Sequence, residues 1–374
     1  MKRKPRLLMV ARTRYRLPLP ESTGRKFAAL RERFDLRVLA TSADGAARDD
    51  GVFHLVGRLP VLDGPLFYVL LPFRVRRLAR SHRPEALVTQ SPYEAALVRW
   101  SAPGARLVVE VHGDWRTAPR LYGSPLRRLL APLTDRVGAL GVRRADAVRT
   151  ISAFTSGLVR GLGVEPAAEF AAFTDLDAFA GEREPLPAEP RVLFVGVLER
   201  YKNIEVLAAA WRRVAARRPG SQLHLVGSGT QAPVVETLAD VGVEWQRRID
   251  AAEVAIALDR ARALILPSAI EGLGRVVIEA FMRGRAVVGT RSGGIPDIVE
   301  DGVNGLLVEP GDASALAAAI ERILDDDDLA SRLGAAAGES AARWIASPAE
   351  YADRMRALVD GALERSVSPG SGGP

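Results

Sequence analysis

Two acids stand eight positions apart, Glu271 and Glu279, in the stretch PSAIEGLGRVVIEAF (267–281). ALILPS reads as a buried strand, AIEGLG leaves it through a turn, and RVVIEAFMRG is a helix ended by Gly284. A helix starting near Gly274 puts Glu279 about a turn and a half along it, so the two carboxylates flank one ligand at different heights. Carboxylates pair well with the vicinal hydroxyls of sugars, one with a ribose and one with a hexose. The pair therefore reads as a binder of diols before a proton-transfer couple. The helix's first turn offers free backbone N–H groups and the positive end of a dipole, a place for phosphate. Gly272 and Gly274 let a ligand approach the backbone closely. Two acids alone are more often solvated surface, and the case rests on what surrounds them.

Downstream, VVGTRSGGIPDIVEDGVNGLLVEPGD supplies a strand ending in Gly293 and Gly294, whose amides are expected to line the same pocket. Upstream, LFVGVLERYKNIEVLAAAW places Gly196 at a strand end and Lys202 at the mouth of a helix, where lysine reads as a phosphate partner. Nearer the N-terminus, ARLVVEV ends in HGDW, which sets His112 at a strand's carboxyl end, with Asp114 and Trp115 placed to shape an acceptor side. A lone histidine is more often structural, and His54, His82 and His224 lack such a setting. Arg14 and Arg16, after the first strand, suggest an anionic acceptor such as a phosphate or diphosphate carrier.

The elements that must position these groups form two series. RLLMVAR, FDLRVLAT, ALVTQ, ARLVVEVHG and ADAVRTIS are short apolar runs separated by helical stretches, as in a parallel sheet buried on both faces. GEREPLPAEP then loses periodicity and reads as a linker. A second series follows in RVLFVGVL, QLHLVGSG, VEWQRRI, ALILPSAI, AVVGTRSGG and GLLVEP. Two doubly wound α/β domains are expected, with ligands beyond the carboxyl ends of their strands.

The 374 residues suit two domains, and 48% hydrophobic with 26% charged residues is globular composition. The absence of cysteine excludes disulfides, thiolate metal sites and a cysteine nucleophile, and fits a cytoplasmic home. The basic opening MKRKPRLLMVARTRYR has too short an apolar run for a signal peptide core and is expected to be mature protein. No apolar run approaches the roughly 20 residues of a spanning helix. The net charge of +7 divides into +13 for residues 1–180 (30 Lys+Arg, 17 Asp+Glu) and −6 for the remainder (22 and 28). GPLFYVLLPFRVRRLARSHR and SPLRRLLAPLTDRVGALGVRR mix apolar residues with arginine, as interfacial helices and core helices both do.

FVGVLERYK, HLVGSG, LPSAIEGLGRVVIEAF and SGGIPDIVEDGVNGLLV, in this order, resemble the retaining glycosyltransferases of the GT-B fold, the large family 4. The resemblance covers nearly all of the second domain. The family's E-x7-E pair matches Glu271 and Glu279, which implies the donor sugar for the first and the nucleotide ribose for the second. The family's lysine matches Lys202 and implies the donor diphosphate. It implies a donor site that includes Gly196, Arg200, Gly227, Arg248, Ile249, Gly272, Leu273, Gly274 and Arg275, with the base met near Arg247 to Ile249. His112 is implied to contact the 6-hydroxyl region of the donor sugar. One departure is Val197, where the family usually carries a second cation on the diphosphate; Arg275, or else Arg200, is the expected substitute. The glycine-rich loop often found after the family's first strand is replaced by ARTRYRLPLPESTGRK, so the first domain resembles the family less.

The resulting expectation is an α/β GT-B fold of two facing doubly wound Rossmann-like domains with an inter-domain cleft. Residues 1–182 form the acceptor side and 188–345 hold the nucleotide sugar; 346–366 is a helix crossing back to the first domain, and 367–374 a flexible tail. The expected reaction is retaining transfer from a UDP- or GDP-sugar to an acceptor hydroxyl on a saccharide, lipid-linked carrier or small metabolite, in cell-envelope glycan, glycolipid or natural-product synthesis. His112, Lys202 and Glu271 are the expected catalytic residues, with no metal and no cofactor besides the donor. Peripheral contact with an anionic membrane is compatible with the basic half. Nucleic acid has no recognisable reading helix to support it, and a full dinucleotide fingerprint is lacking. An epimerase or hydrolase on the same fold, or a donor-binding pseudoenzyme, are the alternatives.

Overall fold

The computed structural model describes residues 3–58, 63–117, 120 and 129–365. It divides into two compact units, Met1–Phe173 with Ala346–Pro374, and Thr174–Ile345. The expected tail, 367–374, and residues 124–128 of the second arginine–leucine stretch lie outside the described residues.

The first unit runs β1 (Arg6–Tyr15), α1 (Glu21–Arg33), β2 (Asp35–Ser42), β3 (Arg48–Asp49), β4 (Phe53–Val56), α2 (Asp63–His82) and β5 (Ala86–Thr89). It continues with α3 (Pro92–Val98), β6 (Arg106–Val111), α4 (Ala131–Arg143), β7 (Ala147–Thr150), α5 (Ala153–Arg160) and β8 (Ala168–Glu169). The sheet order is β3-β4-β2-β1-β5-β6-β7-β8, parallel except for β3. Alternate residues of β1 feed opposite cores: Leu7 and Met9 meet Phe27 and Leu30 of α1, while Leu8 and Val10 meet Phe67 and Leu71 of α2. Burial on both faces is why these strands read as unbroken apolar runs. Ser91 caps α3 by accepting the Tyr93 N–H, and a Ser152–Thr155 capping box starts α5.

The second unit runs β9 (Arg191–Val195), α6 (Ile204–Arg217), β10 (Gln222–Val226), α7 (Ala232–Glu236), β11 (Val243–Gln246), α8 (Ala251–Asp259) and β12 (Ala263–Leu266). Then come α9 (Arg275–Met282), β13 (Ala286–Thr290), β14 (Gly305–Val308), α10 (Ala313–Asp325) and α11 (Asp327–Ser340). Its six parallel strands are ordered β11-β10-β9-β12-β13-β14. The chain builds outward from β9 to β11, then returns to lay β12 on the other side of β9. That reversal opens a crevice at the carboxyl ends of β9 and β12, where open α/β sheets hold ligands.

Contacts place the division between Phe173 and Thr174 and not at 182. The expected linker is tied to the second unit: Arg183 donates to the carbonyls of Gly338 (2.7 Å) and Met282 (3.3 Å), and Arg285 donates to that of Pro185. After the second unit, α12 (Pro348–Glu364) packs on α1 and sends Tyr351, Met355 and Val359 into the first unit's core.

Candidate active site

Strand β9 delivers the chain into a 3-10 turn, Arg200–Lys202, closed by Asn203 in a left-handed conformation. The Asn203 amide donates to the Pro267 carbonyl at 2.9 Å, and the Ala269 N–H donates to the Tyr201 carbonyl at 2.7 Å. These bonds tie the turn after β9 to the loop after β12 across the switch point. Lys202, buried, donates to the Glu271 carboxylate, which also accepts the Ser268 hydroxyl at 2.8 Å. The lysine and the first acid of the pair therefore form one unit.

A cavity of about 420 Å³ opens beside it in the second unit. Of the residues the sequence assigned to a donor, Gly196, Gly227, Arg248, Ile249, Arg275 and Glu279 line it. Glu279 is buried on α9, and burial pushes its carboxyl up, opposed by Arg275, whose Nε lies 3.1 Å away. Lys202 adjoins through Gly196: a Cβ there would lie 3.5 Å from the lysine Cε. The half-exposed Val197 is on the lining, and so is Arg275, whereas Arg200 is exposed outside it. Leu273 is buried outside the lining as well, and Gly274 serves as the positive-φ entry to α9. Arg247, the first residue of the stretch expected to meet the base, lines the cavity too, as do Phe179 and Ser228, which were not assigned a role. Phe179 belongs to a 3-10 turn, Asp177–Phe179, in a stretch the sequence had given to the first domain. Arg247 stacks 4.7 Å over the Trp245 ring.

The glycines after β13 pack against the loop that carries Glu271. Gly294 donates its N–H to the Glu271 carbonyl at 2.9 Å, so that amide is used inside the fold. Gly293 has φ +59°, and a Cβ there would sit 2.2 Å from the Glu271 carbonyl oxygen. Only glycine permits this approach. Gly293→Ala is expected to destabilise the protein by roughly 1–3 kcal/mol and to weaken donor binding by displacing Glu271. Thermal melts and a nucleotide titration check it; unchanged values in both would refute the account.

In the first unit, His112 follows β6, and its Nε2 lies 3.5 Å from the Glu110 carboxylate. Burial pushes the Glu110 carboxyl up, but Arg149, then His112 and Lys26, outweigh it and hold it at about 2. Asp114 is engaged by Arg116 through two guanidinium contacts at 2.8 and 2.9 Å. Trp115 belongs to the core of the first unit: it is buried, Gly138 of α4 packs on its ring, and its carbonyl accepts the Tyr93 hydroxyl. Arg14 lies within β1, which extends to Tyr15, and the exposed Arg16 pairs with Asp44 at 2.9 Å.

Two family models match the chain, a glycosyl transferase 4-like domain over residues 21–170 and glycosyl transferases group 1 over residues 189–326. The lipopolysaccharide core biosynthesis glycosyltransferase LpsE of Rhizobium meliloti is 32% identical over 274 residues, 71% of this chain and 73% of that protein. A glycogen synthase of Mycobacterium tuberculosis is 32% identical over 52% of this chain and 50% of its own length. The D-inositol 3-phosphate glycosyltransferase of Corynebacterium efficiens is 33% identical over 54% and 53%, so the match spans about half of these two relatives. Among solved structures, sucrose-phosphate synthase from Thermosynechococcus elongatus superposes with a TM-score of 0.73 at 23% identity, covering 97% of this chain and 99% of that one. Anabaena HepE in complex with UDP-glucose gives 0.68 at 18% identity over 96% and 100%. These neighbours share the GT-B fold of two Rossmann-like parallel-sheet units. With both halves matched and most of one relative's length covered, the chain belongs to the group 1 glycosyltransferases and is an enzyme of sugar transfer.

Proposed function

We propose that this glycosyltransferase takes its sugar from a UDP- or GDP-sugar and passes it, with retention, to an acceptor hydroxyl without a divalent metal. One observation carries the reading: the cavity at the switch point brings a buried carboxylate, Glu279, and three arginines to the edge of the Lys202–Glu271 pair. Glu279 takes the ribose hydroxyls, while Lys202 and Arg275 face the diphosphate, Arg275 standing in for the cation absent at Val197. Glu271 fixes Lys202 and meets the donor sugar's hydroxyls. As the bond from the anomeric carbon to the phosphate oxygen breaks, charge gathers on the leaving diphosphate, where fixed cations stabilise it. The acceptor oxygen bonds the anomeric carbon on the same face, and its proton passes to the departing phosphate; no protein base is assigned. For His112, contact with the donor sugar rests on the family resemblance. HepE's UDP-glucose complex favours a uridine donor, and LpsE's part in lipopolysaccharide core synthesis favours a cell-envelope acceptor.

The test is a thermal-shift screen against UDP, GDP, ADP and their sugar conjugates in EDTA. Ligand that binds only the native state raises the midpoint, by about 2.7 kcal/mol of stabilisation at a hundredfold excess over Kd. One nucleotide is expected to give a clear shift that Glu279→Ala abolishes. A folded protein that responds to none would overturn the donor site and favour a pseudoenzyme reading centred on Val197.

A further inference from the structure

Three helices covering one side of the first unit's sheet leave large apolar side chains in solvent. Phe67, Leu71 and Val75 of α2, Ala95 and Val98 of α3 and Val142 of α4 enter one core with Leu8 and Val10. Away from that core, α2 exposes Val69 (65%) and Phe73 (71%), then Arg76 and Arg80 on the next turns. Spacings of three and four keep these residues on one helix face. Just past α3, Trp100 is 73% exposed with the Arg99 guanidinium 5.9 Å above its ring. Leu133 and Leu140 of α4 are exposed too, as is Leu129 before it. A soluble surface carries single apolar residues, not a set of this size, unless something covers it.

The charge beside this set is of one sign. From Gly64 to Pro84 there are five arginines and no acid. Glu94 of α3 is buried, and Asp135 of α4 is bonded to Arg120. Among the described residues, Arg76 and Arg80 have no hydrogen bond or ion pair within the protein. They line a cavity of about 550 Å³ with Arg6, Arg83 and Ser101, the residue next to Trp100. Glu85, also in its wall, is paired with Arg3 and Arg6.

We propose that this side of the first unit docks on an anionic lipid bilayer: Val69, Phe73 and Trp100 enter the interfacial layer, and the arginine-lined cavity holds lipid phosphates. Aromatic and aliphatic groups beside unpaired arginines are what such an interface takes. RNA would use the aromatics and arginines but gains nothing from Val69, Leu129, Leu133 and Leu140, which have no ring to stack. No helix among the described residues is long and apolar enough to span a membrane, so the contact is peripheral. The proposal stands apart from the identity of donor and acceptor and is read without turnover.

The experiment measures partition of the full chain onto vesicles of phosphatidylcholine, with and without phosphatidylglycerol, and follows tryptophan emission. Binding is expected to be at least tenfold tighter with the anionic lipid and to weaken in high salt. A blue shift of emission on binding should vanish in Trp100→Phe. Arg76→Gln with Arg80→Gln should weaken partition by roughly fivefold per arginine, and Phe73→Ser with Trp100→Ser at least tenfold, each with unchanged melting as a check on folding. Equal affinity for neutral and anionic vesicles, or partition indifferent to both pairs, would overturn the proposal. So would polyuridylate binding that depends on the arginines while anionic vesicles leave Trp100 emission unchanged.

Discussion

Lys202→Ala is expected to lower kcat by on the order of a hundred- to a thousandfold, the cost of losing one preorganised charge partner of a leaving anion. The ammonium is buried beside Gly196 and held by Glu271 and the loop that carries Ser268. Held there, it needs no reorganisation as the diphosphate departs, and low local polarity makes its charge count for more than in water. The interaction strengthens as charge develops, so kcat and kcat/KM should fall together while KM moves little. The variant also strips Glu271 of its cation, and part of the loss is Glu271's. Glu271→Gln and the double variant separate the two: coupled residues give a double-mutant loss well short of the sum. Initial rates with a saturating donor decide the matter, and a Lys202→Ala enzyme with wild-type kcat would remove Lys202 from the mechanism.

What the sequence made legible follows from range. Strands β9, β10 and β12 to β14 stand out because a parallel strand buried on both faces is mostly apolar, a property of consecutive residues; β11, VEWQ at the sheet edge, is half-exposed and alternates instead. The eight-residue spacing of Glu271 and Glu279 was readable for the same reason, since one turn and one helix fix it. Contacts made by distant residues were not readable. Trp115 follows His112 by three positions, and nothing in that spacing says that Gly138 clears the space that takes its ring into the core. Gly293 and Gly294 looked like amides offered to a ligand; the loop of Glu271, some 20 residues earlier, takes up the Gly294 N–H and packs against the Gly293 Cα. Between Arg200 and Arg275 the choice depended on which side chain reaches the cavity, and a 3-10 turn at Arg200–Lys202 sends consecutive residues in different directions.

Register was the other hidden quantity. VVEV and AVRT each carry one charge in an apolar strand, and nothing in either run says that Glu110 and Arg149 will stand opposite each other on β6 and β7. In the fold they are directly paired, and the pair is the part of the first unit that reaches His112.

Arg149→Leu is accordingly expected to be the most destabilising single change in that unit. The guanidinium is fully buried, donates to Glu110 at 2.6 Å and to the Phe170 carbonyl at 2.8 Å, and lies 4.2 Å over the Phe170 ring. Without it Glu110 is a buried carboxylate left with His112 and Lys26 beside it. Breaking one side of such a pair costs about 3–5 kcal/mol, or roughly 6–20 °C in melting temperature for a unit of this size. Removing both partners, as Glu110→Leu with Arg149→Leu, should restore much of the loss, because the buried charge goes too. The pH dependence supplies an independent sign. In the wild type the folded carboxyl sits at about 2, below its unfolded value, so its contribution is complete above the ordinary carboxylate range and is lost as pH falls toward 2. In Arg149→Leu burial prevails and the folded pKa rises above the unfolded one; stability is then retained in acid and lost as pH rises between the two values. The gap between the two proteins should thus be widest at pH 7.5, smaller near pH 4 and smallest toward pH 2, and a gap that stays constant, or an Arg149→Leu protein as stable as wild type at pH 7.5, would show that the pair does not hold Glu110 ionised.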